Sequence, residues 1–218
     1  MRTALLAASL LALSASAFAQ AKPDPTKIQF RGDRFPPLKY ETMTPEQQAM
    51  VNHLLSGERG GTNGPFNVML RNPAWGDLAQ AFGGQLRFHS SLPPRLSELA
   101  ILITARIWTS QYEWSAHKVQ ALKGGLNAAI IDAVADGKHP PNMQPDEEAV
   151  YTFTMELLTA HQVSDATFNM AKERLTEKGV VDLMGLTGYY QIVSMLLNVD
   201  RYPLPEGAKP ELKSLAGK

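Results

Sequence analysis

Two residues near the middle of the chain have the types and the spacing for acid/base chemistry. Glu113 and His117 are four positions apart, so on a helix they lie on one face. A carboxylate beside an imidazole sets the proton affinity and the tautomer of the ring. Upstream, Glu98 stands alone in an apolar stretch, where burial would raise the pKa of its carboxyl group unless a partner offsets the desolvation.

A purely structural interpretation of these residues is also open. Ser110 and Glu113 form the Ser-x-x-Glu pattern of a capping box, in which both side chains only begin a helix. Glu113 and His117 would then be a surface pair that contributes a few tenths of a kcal/mol. A serine nucleophile is excluded, because Ser110 lies roughly 10 Å of helical rise from His117.

The composition excludes several other chemistries. The 218 residues contain no cysteine, which removes disulfides, thiolate nucleophiles, CxxC redox centres and cysteine zinc sites. The five histidines form no HxxxH or HExxH motif, so we expect no metal, which would have to use Glu98, Glu113 and His117. Lys plus Arg and Asp plus Glu both number 21, and a chain without net charge has no electrostatic attraction for nucleic acid.

The elements that must position these residues are helices. Capping residues, prolines and glycines punctuate the chain at helical intervals, and strand signals are nearly absent. The Gly-rich segment 56–65 lacks the Lys-Ser/Thr ending of a phosphate loop and is predicted to be a flexible loop, and Gly179 is predicted to end a helix. The predicted helices are 45–55, 73–88, 94–108, 111–123, 128–135, 146–160, 165–178 and 181–198.

The two ends of the chain differ from the helical part. Residues 1–19 have the positive start, the apolar run and the small-x-small ending of a signal peptide, with a predicted cut after Ala19. The run is too short and too rich in alanine to span a membrane as an anchor. We therefore expect a periplasmic or secreted protein with an extended, Pro-rich arm at 20–43, a helical domain at 44–200 and a tail at 201–218.

The chain resembles the carboxymuconolactone decarboxylase-like family, which also contains the alkyl hydroperoxidase D-like (AhpD-like) proteins. The peroxidase branch of the family has the pattern Glu, Cys-x-x-Cys, His. In this chain the glutamate and the histidine of the pattern match Glu98 and His117, and the two cysteines are replaced by Ser110 and Glu113. Thiol peroxidase turnover needs an attacking and a resolving thiol, and this chain has neither. The segments that carry the resemblance are Gly64-Pro-Phe-Asn67, Leu92-Pro-Pro-Arg-Leu-Ser-Glu98-Leu-Ala-Ile-Leu102, Tyr112-Glu113-Trp114 with His117, Ala121-Leu-Lys-Gly-Gly-Leu126 and Gly188-Tyr-Tyr190.

The resemblance implies an all-α, AhpD-like helical bundle that assembles as a homotrimer or homohexamer. A charged fraction of 19%, below the roughly 25% of typical soluble domains, also favours an oligomer. The implied chemistry is a cofactor-free decarboxylation or isomerisation of a small carboxylated lactone or keto acid, which makes the protein a carboxy-lyase or an isomerase. Such a reaction passes through an enolate and needs an acid that reprotonates carbon.

In that chemistry His117 is the proton-transfer residue, Glu113 is its orienting partner or co-acid, and Glu98 is a buried carboxylate that holds the imidazole. Arg106 binds a substrate carboxylate or, equally well, pairs with Glu98.

Two aromatic residues complete the predicted site. Tyr112 and Trp114 would form a wall of the substrate pocket, although aromatic residues at such spacings more often belong to the core.

The alternative function is a non-catalytic ligand-binding or oligomeric scaffold that kept the fold after losing the thiols. Acid/base residues that converge on an enclosed cavity favour the enzyme, whereas a filled apolar interface favours the scaffold.

Overall fold

The computed structural model describes residues 23–59 and 61–214, and within these residues the regular structure is entirely helical. The predicted signal peptide, the first residues of the predicted arm and the last four of the tail lie outside the described residues. The helices are α1 Pro45–Ser56, α2 Phe66–Met69, α3 Pro73–Phe88, α4 Pro94–Ile107, α5 Gln111–Lys123, α6 Ala128–Ala135, α7 Pro145–Thr159 and α8 Asp165–Asp200.

Helix α4 is the centre of the fold. Every residue from 96 to 106 is buried, and the helix packs against α5, α7 and α8. Its sequence is apolar on almost every side, which is the property of a helix surrounded by others. Because α4 is covered on all faces, the polar side chains that it carries are forced into contact with its neighbours.

Several helix starts follow directly from capping chemistry. The Thr44 hydroxyl accepts a hydrogen bond from Gln47 N, and the Gln47 side chain accepts one from Thr44 N, which completes the predicted capping box of α1. Asn127 and Ser164 cap α6 and α8 in the same way, through Ala129 N and Thr167 N. These caps fix the predicted helix starts to within one residue.

The structure adds one helix that the sequence analysis did not predict and corrects the position of one predicted helix break. The segment after the Gly-rich loop forms the short helix α2, whose four residues are all buried. Residues 165–200 contain the two predicted helices, joined across a kink into the element α8, but the break lies three residues before Gly179. The bend lies at Thr176, whose φ is 69°. Gly179 serves packing, because a Cβ there would lie 2.8 Å from Leu175 Cβ.

Helix α8 also meets the length and apolarity of a membrane-spanning helix, but half of its most apolar 18-residue stretch is buried inside the fold. Where α8 crosses α3, Gly83 makes room for the ring of Tyr189, since a Cβ on Gly83 would lie 2.0 Å from Tyr189 Cζ. This close approach of the two helices brings Tyr189 under α3 and towards α5.

The arm and the tail both pack against the helices of the same chain. Asp200 at the end of α8 accepts hydrogen bonds from the backbone N–H groups of Asp33 and Phe35, and Arg31 donates to the carbonyls of Pro203 and Leu204. These bonds hold the arm beside the start of the tail.

Candidate active site

Helices α4 and α5 form a hairpin that brings three ionisable side chains together. The short turn at 108–110 reverses the chain, so the start of α4 lies beside the middle of α5. Glu98 Oε2 lies 2.6 Å from His117 Nδ1, and Glu113 Oε1 lies 2.9 Å from His117 Nε2. The imidazole is therefore bridged by a carboxylate at each of its two nitrogens.

This triad is buried. Glu98 is 7% exposed, and Glu113 and His117 are each 4% exposed. Burial alone would lower the pKa of His117, but the charges of Glu113 and Glu98 and their hydrogen bonds outweigh it and raise the pKa to about 9. At neutral pH the ring is thus an imidazolium that donates one N–H to each carboxylate.

A cavity of about 280 Å³ opens against this triad. Glu113 and His117 contribute to its wall from α5, while Tyr189 and Tyr190 contribute from α8. Glu98 lies behind the ring and lines a different cavity, of about 320 Å³. The imidazole of His117 therefore lies between Glu113, which faces the first cavity, and Glu98, which faces the second.

Two tyrosines of α8 fix the ring of His117 and offer neutral hydroxyl groups. Tyr190 packs edge-to-face on the imidazole with ring centroids 5.0 Å apart, and Tyr189 packs edge-to-face on Tyr190 at 5.4 Å. Burial raises the pKa of both phenols, and the charge of Glu113 adds to it. Both therefore stay protonated near neutral pH and can donate a hydrogen bond to a ligand oxygen.

Two arginines also line the cavity. The guanidinium of Arg59, in the segment between α1 and α2, donates to the Gln80 carbonyl and to the Tyr189 hydroxyl at 3.2 and 3.4 Å. Arg87 on α3 lines the same cavity. Within the described residues neither arginine has a carboxylate within 4 Å.

Of the three predicted substrate-binding residues, only Tyr112 lines this cavity. Tyr112 lines the cavity and packs edge-to-face on Tyr202 with ring centroids 4.5 Å apart. Trp114 is 1% exposed within the core, so for it the packing alternative holds. Arg106 neither lines the cavity nor pairs with Glu98, and its guanidinium donates to the Lys213 carbonyl in the tail.

The rotation of α4 explains the position of Arg106. Eight residues after Glu98, the helix has turned about 80° beyond two full turns, so the two side chains leave it in different directions. Arg106 therefore does not pair with Glu98, and the cations that line the cavity are Arg59 and Arg87.

Ser110 does not cap α5, which corrects the capping-box alternative. Its hydroxyl is fully buried and has no hydrogen-bond partner among the described residues, while the Glu113 side chain is directed to His117. Helix α5 begins instead with the backbone bond from Trp114 N to the Ser110 carbonyl, while Ser110 N donates to the Ala105 carbonyl at the end of α4. The Glu113 carboxylate is thus free to bind the His117 ring and to face the cavity.

Among the cavity residues with charged or phenolic side chains, four were not predicted as site residues: Arg59, Arg87, Tyr189 and Tyr190. The two tyrosines belong to the Gly188-Tyr-Tyr190 motif, so the resemblance already contained a signal for them. The arginines come from other helices and loops and carry no local motif. In residues 23–59 and 61–214, no cluster of three or more His, Asp or Glu side chains has the arrangement of a metal site.

The arrangement is suited to moving one proton between a ligand and the triad. Both ring nitrogens are occupied by carboxylates, so a ligand in the cavity meets Glu113 before it meets an imidazole nitrogen. A proton taken up or released by Glu113 can be exchanged with Nε2 at 2.9 Å, within the range for direct transfer. Glu98 holds the ring in place from the other side.

Comparison with known proteins agrees with the resemblance. Residues 73–156, which contain the whole triad, match the model of the carboxymuconolactone decarboxylase family. No match to the chain is found among curated proteins. Among the solved structures that match is one of a protein of unknown function from Agrobacterium tumefaciens, described as a candidate antioxidant defence protein AhpD. It is 15% identical, the match covers 64% of this chain and 96% of that one, and the TM-score is 0.57. At this identity the similarity shows a common AhpD-like fold.

Proposed function

We propose that this chain, a cysteine-free member of the carboxymuconolactone decarboxylase-like family, is a cofactor-free acid/base enzyme that decarboxylates or isomerises a small carboxylated lactone or keto acid. One observation carries the proposal: a buried imidazolium is bound by two carboxylates, and one of them, Glu113, faces a cavity that a small molecule can enter. A buried imidazole whose pKa is raised by carboxylates, placed at the wall of a cavity, is typical of a catalytic site.

Glu113 is the residue that exchanges a proton with the substrate. In an isomerisation its carboxylate removes a proton from the carbon next to the carbonyl, and the electron pair of the C–H bond moves into an enolate. The same proton then returns at another carbon of the conjugated system. The neutral hydroxyl groups of Tyr189 and Tyr190 are suited to stabilise the negative oxygen of the enolate.

In a decarboxylation the order differs but the same groups act. The C–C bond to the carboxylate breaks, CO₂ leaves, and its electron pair forms the enolate. Glu113, protonated by His117, then gives its proton to carbon, and the ring regains a proton from water. Glu98 keeps the ring oriented throughout, which makes it a positioning residue.

Three further predictions concern peroxidase activity, oligomerisation and export. Thiol peroxidase chemistry lacks its nucleophile, because the 218 residues contain no cysteine. The proposed homotrimer or homohexamer is supported by apolar side chains exposed on α3 and α8, such as Leu78 at 73% and Val181 at 60%. The same exposed side chains support the alternative of an oligomeric scaffold. Export through residues 1–19 stays a prediction from the sequence.

A screen of small carboxylated lactones and keto acids tests the proposed function. The native protein is expected to convert at least one of them, and the variants His117→Ala and Glu98→Gln are expected to convert it more slowly. His117→Ala removes the proton store, and Glu98→Gln weakens the orientation of the ring. Equal turnover by all three proteins would contradict the roles given to His117 and Glu98, whereas turnover by none would contradict the enzyme and favour the scaffold. Hydrogen peroxide serves as the control substrate, and none of the proteins is expected to consume it.

A further inference from the structure

The cavity wall carries groups of both charges, and Arg87 also lines the second cavity, which Glu98 faces. The triad, with two carboxylates and one imidazolium, carries one net negative charge, whereas Arg59 and Arg87 carry two positive charges. Among the described residues that line the cavity, no others are charged. The cavity thus has one positive charge without a protein counter-ion, and a ligand with a carboxylate would neutralise it.

Arg87 is unusual among the arginines of this chain. In the described part, every other arginine donates to a backbone carbonyl or pairs with a carboxylate, but Arg87 makes neither contact. Its guanidinium lies 5.4 Å from the centroid of its neighbour Phe88 and is half-buried. The five N–H donors of an arginine are satisfied by water or by a ligand when the protein offers no acceptor.

Arg59 is the fixed member of the pair. Besides its bonds to the Gln80 carbonyl and the Tyr189 hydroxyl, its guanidinium lies 5.2 Å from the centroid of Phe66. Its Nε is buried and has no partner among the described residues. These contacts hold one guanidinium in place before a ligand arrives, which lowers the ordering cost of binding.

We propose that Arg59 and Arg87 form a carboxylate-binding subsite that selects the substrate and orients it, with its reacting carbon towards Glu113. This inference rests on the proposed function for the identity of the reacting group, but the subsite itself is a binding site. Arg59 lies outside residues 73–156, so half of this subsite comes from a part of the chain that the family model does not match.

The chemistry also indicates which carboxylate the arginines hold. A carboxylate that leaves as CO₂ loses its charge in the transition state, so an ion pair to it would stabilise the ground state more than the transition state. Binding such a group would slow the reaction. The carboxylate at Arg59 and Arg87 is therefore one that the product keeps, and it anchors the molecule while the other end reacts at Glu113.

Calorimetric titration with benzoate, a single small ring with one carboxylate, tests the subsite without any turnover. We expect native protein to bind benzoate, and Arg87→Gln and Arg59→Gln each to bind it at least tenfold more weakly, because each loses a charge-assisted bond. Arg87→Gln is the decisive variant, since it removes no hydrogen bond within the described fold. The matched control Arg174→Gln removes an arginine that pairs with Glu173 on the surface of α8, and it should bind benzoate like the native protein.

Benzamide, the neutral analogue, is expected to bind native protein and Arg87→Gln equally. Failure of benzoate to bind native protein, or equal benzoate affinity in native protein and Arg87→Gln, would overturn the subsite. These outcomes are separate from the substrate screen. If benzoate binding depends on the arginines but the screen finds no turnover, only the proposed enzyme is contradicted. If the screen finds turnover but benzoate binds equally well without Arg87, only the subsite is contradicted.

Discussion

Replacing Glu113 with glutamine is expected to lower kcat by about 10²- to 10⁴-fold for the substrate found in the screen, which is the usual contribution of a positioned acid/base group. Glutamine has the shape of glutamate and keeps an oxygen for the bond to His117 Nε2, so the ring stays in place. It cannot take up or release a proton at neutral pH. The loss should therefore appear in kcat, with little change in KM.

A second Glu–His pair on the surface supplies the control. Glu148 Oε1 lies 3.0 Å from His139 Nε2, which is close to the geometry at Glu113, but His139 and Glu148 are solvent-accessible and lie outside the cavity. Glu148→Gln should keep native turnover. If Glu113→Gln retained turnover within threefold of native, Glu113 would not be the acid/base group.

Raising the pH from 6.5 to 9 is expected to remove about 3 kcal/mol from the free energy of unfolding, through His117 alone. The ring has a pKa of about 9 in the folded protein and 6.5 when unfolded, so the folded state binds the extra proton throughout this interval. The stabilisation is fully present below pH 6.5 and is lost as the pH rises through 9. Urea denaturation at a series of pH values measures it.

His117→Gln is the control for this pH dependence. Without the imidazole, the variant should lose the part of the slope between pH 6.5 and 9 that His117 causes, whatever its absolute stability. Carboxylates such as Glu156, whose pKa is lowered by bonds from Ser164 and Thr167, act at acidic pH and do not contribute in this interval. An equally steep decline in native protein and in His117→Gln would mean that the ring is not held between two charges.

Local sequence chemistry predicts most of the helices. A capping side chain and a proline at the first turn act within four residues, so the start of α1 at Pro45 can be inferred without knowing the fold. The break between the last two predicted helices could be inferred from Gly179, but its exact position at Thr176 could not, because that residue is neither glycine nor proline. The buried hydroxyl of Ser110 shows the limit of the same rules, since a capping pattern alone does not show where the side chain points.

The site was predictable where its residues are close in sequence. Glu113 and His117 are brought together by one helical turn, and Glu98 joins them because α4 and α5 form a tight hairpin. Arg59 and Arg87 reach the cavity only through the packing of α3 against α8 and the course of the chain after α1. Nothing within a few residues of either arginine encodes that position.

The most direct test of the account is an NMR titration of the His117 imidazole in native protein, with the signal assigned by its absence in His117→Gln. The two carboxylates at 2.6 and 2.9 Å predict a midpoint near pH 9 and a lower midpoint in Glu98→Gln. This measurement needs no substrate. A midpoint near 6.5, unchanged in Glu98→Gln, would contradict an imidazolium held between Glu98 and Glu113.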